Sequence, residues 1–215
     1  MKFWKHIISK HRISILLLLF YIVSISLRSE DKLENIYQYL MNSYNVIDTY
    51  QADFIQYNHW EEHDITADSE GRIFITKNKY ALDYYNPEGQ KVIIDSLVYI
   101  IDEIEKTIII TMTDENINPI DIISTFWDKS SKDIKSKEAE SIKIRLVPED
   151  DPDIKNILIT IKRPDYLITK IEYKDFENNR VKFTFLNETI NEPIDKSVFI
   201  IPKKRDYSVF DQRSY

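Results

Sequence analysis

A chain of 215 residues with no cysteine and only two glycines, Gly71 and Gly89, has no disulfide, no thiolate metal site, no cysteine nucleophile and no glycine-rich phosphate loop. Five basic residues and no acidic one precede position 30, so setting that segment aside takes the formal charge from −7 to −12. Such a surface repels nucleic acid and anionic lipid heads.

The first element in chain order is a leader. Lys2, Lys5, Lys10 and Arg12 precede an apolar run of 15 residues from Ile13 to Leu27. The run is shorter than the ~20 residues that cross a hydrocarbon core, and small residues, Ser24 and Ser26, close it. Residues 1–26 therefore read as a signal peptide, and residues 27–215 as one domain on the far side of the membrane. The alternative is an uncleaved anchor in the inner membrane, facing the same way. Without a cysteine there is no lipid-modified N-terminus, so the cleaved protein is expected free in solution and monomeric. About 185 residues suffice for one substantial core.

From Glu30 to Asp48, Leu33, Ile36, Tyr37, Leu40, Met41, Tyr44 and Ile47 recur at steps of three and four, which predicts one amphipathic helix. Strands follow at Tyr50–Tyr57, Arg72–Thr76, Tyr80–Tyr85, Lys91–Ile94, Leu97–Ile101 and Thr107–Thr111. Short polar turns between them, Asn86-Pro87-Glu88-Gly89 the clearest, predict an antiparallel meander. Asn118 and Pro119 open a short helix bearing Ile120, Ile122, Ile123, Phe126 and Trp127, and a charged stretch runs from Asp128 to Glu140. Strands resume at Ile142–Val147, Asn156–Lys162, Leu167–Lys174, Arg180–Leu186 and Val198–Ile201.

About eleven strands with two helices form a mainly β, α+β fold. Two helices cannot cover both sides of so large a sheet, so it must curl into an open half-barrel with the helices as plug or lid. Alternation sharpens the faces. Tyr80, Leu82 and Tyr84 share one face, as do Ile157, Ile159 and Ile161, then Ile171 and Tyr173, then Val181, Phe183 and Phe185. Lys79, Asp83, Lys170, Glu172, Lys174, Arg180 and Lys182 lie opposite, so one side reads as apolar and the other as solvated. Periodicity alone fits a filled core as well as a cavity.

Catalytic and metal chemistry find little support. After the leader the histidines are His59 and His63, within His59-Trp60-Glu61-Glu62-His63. A zincin helix requires Glu directly after the first His, whereas this segment reads as a solvated hairpin tip. Both candidate bases for a hydrolytic triad lie in that one loop. Glu149-Asp150-Asp151-Pro152-Asp153 lacks the spacing and glycine of a calcium loop. No enzyme, metal or cofactor is expected.

The order of features resembles the LolA family of periplasmic lipoprotein carriers over nearly the whole mature chain, about Leu33 to Gln212. Tyr50-Gln51-Ala52-Asp53-Phe54-Ile55-Gln56 is similar to the family's aromatic residue followed by Ala-x-Phe-x-Gln. Gly71 starts a strand, Tyr80-x-Leu82-x-Tyr84-x-x-Pro87 stands where the family has Phe-x-Trp-x-Tyr-x-x-Pro, and Asp95-Ser96 falls at its Asp-Gly turn. Asn118-Pro119 opens the lid helix, and Phe199 to Pro202 with Val209-Phe210-Asp211 is similar to the closing Phe-x-x-Pro and Val-x-Asp. The family's Arg-Pro, whose arginine bonds lid backbone, is replaced by Lys77-Asn78, leaving Lys77 as the candidate lid latch without a planar fork.

The resemblance implies a hydrophobic cavity for acyl chains lined by Phe54, Phe74, Tyr80, Leu82, Tyr84, Tyr99, Ile171 and Phe183, with Ile120, Ile122, Ile123 and Phe126 on the lid. It further implies acylated lipoproteins as cargo, an inner-membrane lipoprotein-releasing ABC transporter as donor, and an outer-membrane acceptor where one exists. A lipid sensor, a carrier of another lipid or glycolipid, and a hydrolase are the alternatives.

Overall fold

The computed structural model describes residues 32–112 and 119–213, the side chains of residues 119–122 apart; the expected leader lies outside them. The described residues fall in two units that divide between Asn42 and Ser43. Helix α1, Leu33–Asn45, makes up most of what is described of the first, and Ile36 and Leu40 of its expected stripe are fully buried. Its last residues belong to the second unit. There Ser43 Oγ donates to the carbonyl of Asp165 at 2.7 Å, and the Tyr44 hydroxyl accepts from the Ile168 amide at 3.0 Å.

The second unit is built on one sheet: β1 Thr49–Trp60, β2 Ile65–Thr76, β3 Tyr80–Asn86, β4 Gln90–Ile94, β5 Leu97–Asp102, β6 Thr107–Met112, helix α2 Pro119–Trp127, then β7 Ser130–Lys137, β8 Ser141–Pro148, β9 Ile154–Lys162, β10 Leu167–Asp175, β11 Arg180–Ile190 and β12 Ser208–Asp211. The spatial order is β12-β6-β5-β4-β3-β2-β1-β11-β10-β9-β8-β7. Two antiparallel meanders thus run outwards from the central β1·β11 pair, and β12 adds a parallel strand at the edge of β6.

The curl follows from chain length. A flat sheet would place β6 and β7 ten strand spacings apart, about 48 Å. The segment from Met112 to Ser130 must bridge that gap with a nine-residue helix inside it, so it reaches at most about 45–48 Å when fully stretched, no more than the gap itself. It must also cross from one end of the strands to the other, so the sheet has to bend its two arms together.

Several expectations are corrected. The sheet has twelve strands where about eleven are expected, and two of the assignments change. The charged stretch from Asp128 contains β7, whose Ile134 pairs with Ile144 of β8 while its lysines face out or cap α2. Val198–Ile201 is not a strand. The Asp195 carboxylate accepts from the Ser197 amide at 2.9 Å and starts a 3₁₀ turn over Lys196–Phe199, and Pro202 follows. The last strand is Ser208–Asp211 instead.

The tail from Lys196 covers a second core. Ala81, Ile93, Ile101, Ile108 and Ile110, all at most 1% exposed, lie on the outer face of the β2–β6 arm, with Phe199, Ile201 and Tyr207 packed against them. The expectation of one apolar and one solvated side therefore holds for the β8–β11 arm only. The other arm buries apolar residues outside as well as inside, as continuous runs such as Ile108-Ile109-Ile110 allow.

Candidate functional site

The site begins from the inner face of β1. Tyr50, Ala52, Phe54, Gln56 and Asn58 alternate onto it, and the first three are buried. Register carries this face outward. Tyr80 pairs with Ile75, Leu82 with Ile73, Tyr84 with Gly71 and Phe183 with Gln56. Phe54, Tyr80, Leu82, Tyr84 and Phe183 thus share one face, as expected.

An aromatic cluster sits at its centre. The Phe54 ring meets Tyr84 edge-on at 5.2 Å and Phe183 at 6.1 Å, and Phe183 stacks on Phe185 at 6.4 Å. Gly71 lies beneath the Phe54 ring, where a Cβ would come within 2.8 Å of Phe54 Cζ and 2.3 Å of the Asp83 carbonyl oxygen. The absent side chain is what lets the ring lie against the sheet. Burial pushes the Tyr84 phenol above its ordinary pKa, and its hydroxyl donates to Gln56 Oε1 at 3.3 Å.

Beside the cluster an apolar row crosses the arm. Ala52 pairs with Ile73, Ile73 with Leu82, Leu82 with Val92, Val92 with Ile100 and Ile100 with Ile109. Its inner members Ala52 and Ile73 are buried, whereas Leu82, Val92 and Ile109 are half-buried and Ile100 is 42% exposed. Four apolar side chains on neighbouring strands therefore present one continuous, partly uncovered strip. Val92, Ile100 and Ile109 were missed because their strands are apolar at consecutive positions and show no period.

Three expected lining residues lie elsewhere in the packing. Phe74 pairs with Gln51 and Ala81 on the outer face, with the Arg72 guanidinium 5.9 Å above its ring, and it packs on the second core. Tyr99 pairs with Ile93 and Ile110 and belongs to that same outer core. Both corrections follow from strands whose two faces are equally apolar, so that only pairing tells inside from outside. Ile171 lies on the inner face but is 1% exposed, a core residue between Phe183 and Ile159.

Helix α2 packs against β7 and β8. Ile123 and Trp127 are buried and Phe126 is half-buried, while the side chains of Ile120 and Ile122 lie outside the described residues. Lys77 does not hold this helix: it pairs with Asp48 at 2.7 Å, both side chains being largely exposed. The residue that does is Lys132, whose ammonium donates to the carbonyls of Trp127 and of Ser130 and lies 5.5 Å from the Trp127 ring. A cation at a helix C-terminus satisfies carbonyls that have no partner within the helix. Its position in a charged stretch concealed that role.

At the β1–β2 tip Glu61–His63 forms a 3₁₀ turn, and His59 Nε2 lies 3.1 Å from Asp64 Oδ1. No group of three or more potential metal-ligating side chains occurs among the described residues. A depression of about 860 Å³ opens at the β7–β8 and β9–β10 turns, lined by Glu138, Glu140, Lys162, Arg163 and Pro164 among others, and no expected lining residue contributes to it.

Known proteins are similar to this arrangement. The family described as outer membrane lipoprotein carrier protein LolA matches residues 45–202. No curated protein matches the chain significantly in sequence. Among solved structures, an uncharacterized conserved protein from Thermus thermophilus is 9% identical with a TM-score of 0.57, covering 83% of this chain and 98% of its own. MucB is 11% identical with a TM-score of 0.54, covering 82% of this chain and 64% of its own. LolA superfamily protein NE2245 from Nitrosomonas europaea is 8% identical with a TM-score of 0.42, covering 78% of this chain and 97% of its own.

Proposed function

This chain belongs to the LolA family of outer membrane lipoprotein carrier proteins, and on that premise we propose that it carries acylated lipoproteins with their acyl chains laid along the inner face of the sheet. The observation that supports this most directly is the row Leu82, Val92, Ile100 and Ile109, aligned across four strands and left partly uncovered. Contiguous exposed apolar surface on a soluble domain marks a binding face. Tyr80, Tyr84 and Phe183 extend the lining, with the buried Phe54 ring packed beneath them. Helix α2 is the lid, with Phe126 its half-buried apolar side chain beside the buried Ile123.

The energetics require a shield. Each methylene exposed to water costs ~0.8 kcal/mol, so a lipoprotein with about three long acyl chains faces some tens of kcal/mol on leaving a membrane unaided. The carrier takes the chains from an inner-membrane ABC transporter in the periplasm and yields them to an outer-membrane acceptor that offers a better apolar site. It spends no ATP, uses no cofactor and performs no covalent step. Among the described residues no helix is long and apolar enough to cross a membrane.

The test compares a charge placed on the row with one placed outside. Leu82→Glu is expected to abolish capture of lipoproteins released from spheroplasts, whereas Lys170→Glu, on the opposite face, leaves it intact. Equal capture by both variants refutes the assignment. Native mass spectrometry of the protein taken gently from its periplasm identifies the cargo, and a co-purified lipid that is no lipoprotein reassigns it to another lipid.

A further inference from the structure

Towards the hairpin end of the sheet the inner face changes character. Gln56 and Asn58 alternate onto it beyond Phe54, in register with Phe183 and Val181 of β11. Their amides form a chain: the Tyr84 hydroxyl donates to Gln56 Oε1 at 3.3 Å, Gln56 Nε2 donates to Asn58 Oδ1 at 3.0 Å, and Asn58 Nδ2 donates to the Ala67 carbonyl at 3.5 Å. Each side-chain amide carries two N–H donors, so the bonds among the described residues leave a second donor on Gln56 and on Asn58. Both residues are half-buried, with Phe183 and Val181 beside them on β11 and Ser69 and Ala67 on β2. Tyr173 lies in the Asn58 row, one strand beyond Val181, and adds a neutral phenol.

Charge is missing from this strip. On β3, β2, β1 and β11 the inner face from the tip to the aromatic cluster holds Tyr84, Gly71, Ser69, Ala67, Asn58, Gln56 and Phe183 with Val181, none of them ionised at neutral pH. Along the Asn58 row the first charged side chain is Lys132, five strands away and already bonded to the end of α2. A phosphate placed here would shed part of its water without gaining a countercharge. An ester or amide carbonyl needs only the spare N–H donors.

We propose that Gln56, Asn58 and the Tyr84 hydroxyl form the subsite for the ester and amide linkages that join the cargo's acyl chains to its head, and that this subsite selects neutral linkages over phosphate-bearing lipids. The inference rests on the carrier reading and gives the cargo a direction: chains along the Leu82 row, linkages at the amides and the head towards the β1–β2 tip.

The experiment measures binding of three ligands to the full mature chain: a triacylated lipopeptide with two palmitoyl esters and one palmitoyl amide, dipalmitoyl phosphatidylglycerol, and a fluorescent hydrocarbon without polar groups. The wild type is expected to prefer the lipopeptide to the phospholipid by at least tenfold. Gln56→Met and Asn58→Leu are each expected to weaken lipopeptide binding about tenfold while hydrocarbon binding stays within twofold, which also shows that the fold and the apolar face are intact. Tyr84→Phe is expected to fall between. Proportional losses for lipopeptide and hydrocarbon, no loss at all, or equal wild-type affinity for phosphatidylglycerol each overturn the subsite while leaving the carrier reading in place. Wild-type protein that binds none of the three overturns the carrier reading, and the subsite with it.

Discussion

Replacing Gly71 with alanine tests the close approach on which the aromatic cluster is built. The added methyl would lie 2.3 Å from the Asp83 carbonyl oxygen and 2.8 Å from Phe54 Cζ, where ordinary contact begins at 3.4 Å. The carbonyl is backbone in a paired strand and cannot rotate away, so β2 and β3 must part by about 1 Å beside the existing irregularity at Glu70/Gly71. Overpacking of this kind costs about 1–3 kcal/mol, and a fixed backbone neighbour places it in the upper part of that range. The opposing gain from a stiffer unfolded chain is about 0.4–1 kcal/mol, so the clash wins. For a domain of this size the net loss corresponds to a fall in melting temperature of roughly 4–8 °C. Calorimetry of the wild type, Gly71→Ala, Phe54→Leu and the double variant measures it. The double variant is expected to lose less than the sum of the singles, because leucine withdraws the ring atoms from the methyl while the carbonyl clash remains. A Gly71→Ala melting temperature within 1 °C of wild type would refute the reasoning.

Lys132→Met is expected to loosen the end of α2 by about 1–2 kcal/mol, since the Trp127 and Ser130 carbonyls lose a charged donor. Hydrogen exchange in residues 123–127 should accelerate about 5–30-fold while β1 and β11 stay protected; unchanged exchange would remove Lys132 from the latch. The Asp211 carboxyl is held down at about 2 by its hydrogen bonds from Arg213. A depressed carboxylate contributes stability above its unfolded pKa near 4 and loses it as pH falls through the folded value, so the hold on the end of β12 should weaken between pH 4 and about 2. Carboxyl carbon shifts read this directly, and Arg213→Ala should bring the titration back towards 4. Burial raises the Tyr44, Tyr50 and Tyr173 phenols above their ordinary value of 10.0. Their contribution is complete below pH 10 and is lost above it, where only the unfolded chain releases these protons. Phenolate absorbance for these residues should therefore appear together with unfolding, and a reversible titration near pH 10 in the folded protein would contradict their burial.

Where one face of a strand is apolar and the other charged, the residues alone determined the outcome. Ile157, Ile159 and Ile161 are fully buried, with Asn156, Thr160 and Lys162 on the opposite face beside Leu158, and Val181, Phe183 and Phe185 lie on the same face as the isoleucines. The α1 stripe and the shared facing of Tyr80, Leu82 and Tyr84 were legible for the same reason: a period of two or of 3.6 can be satisfied in one orientation only; that Phe54 and Phe183 join them on one face was what the resemblance implied. Tertiary structure decided what periodicity leaves open. Phe74, Tyr99, Ile100 and Ile109 sit in strands apolar on both sides, so their facing came from the pairing register and from a tail that covers the outer face. The strand role of Ser130–Lys137 came from the neighbouring β8 edge, because this segment is too polar to announce itself. Lys132 became the hold on α2 only when the chain returned it to the end of the helix five residues earlier. The Lys132 contact is local in sequence but has no period to mark it; the facing of the other residues depends on a partner strand or tail that no local window contains.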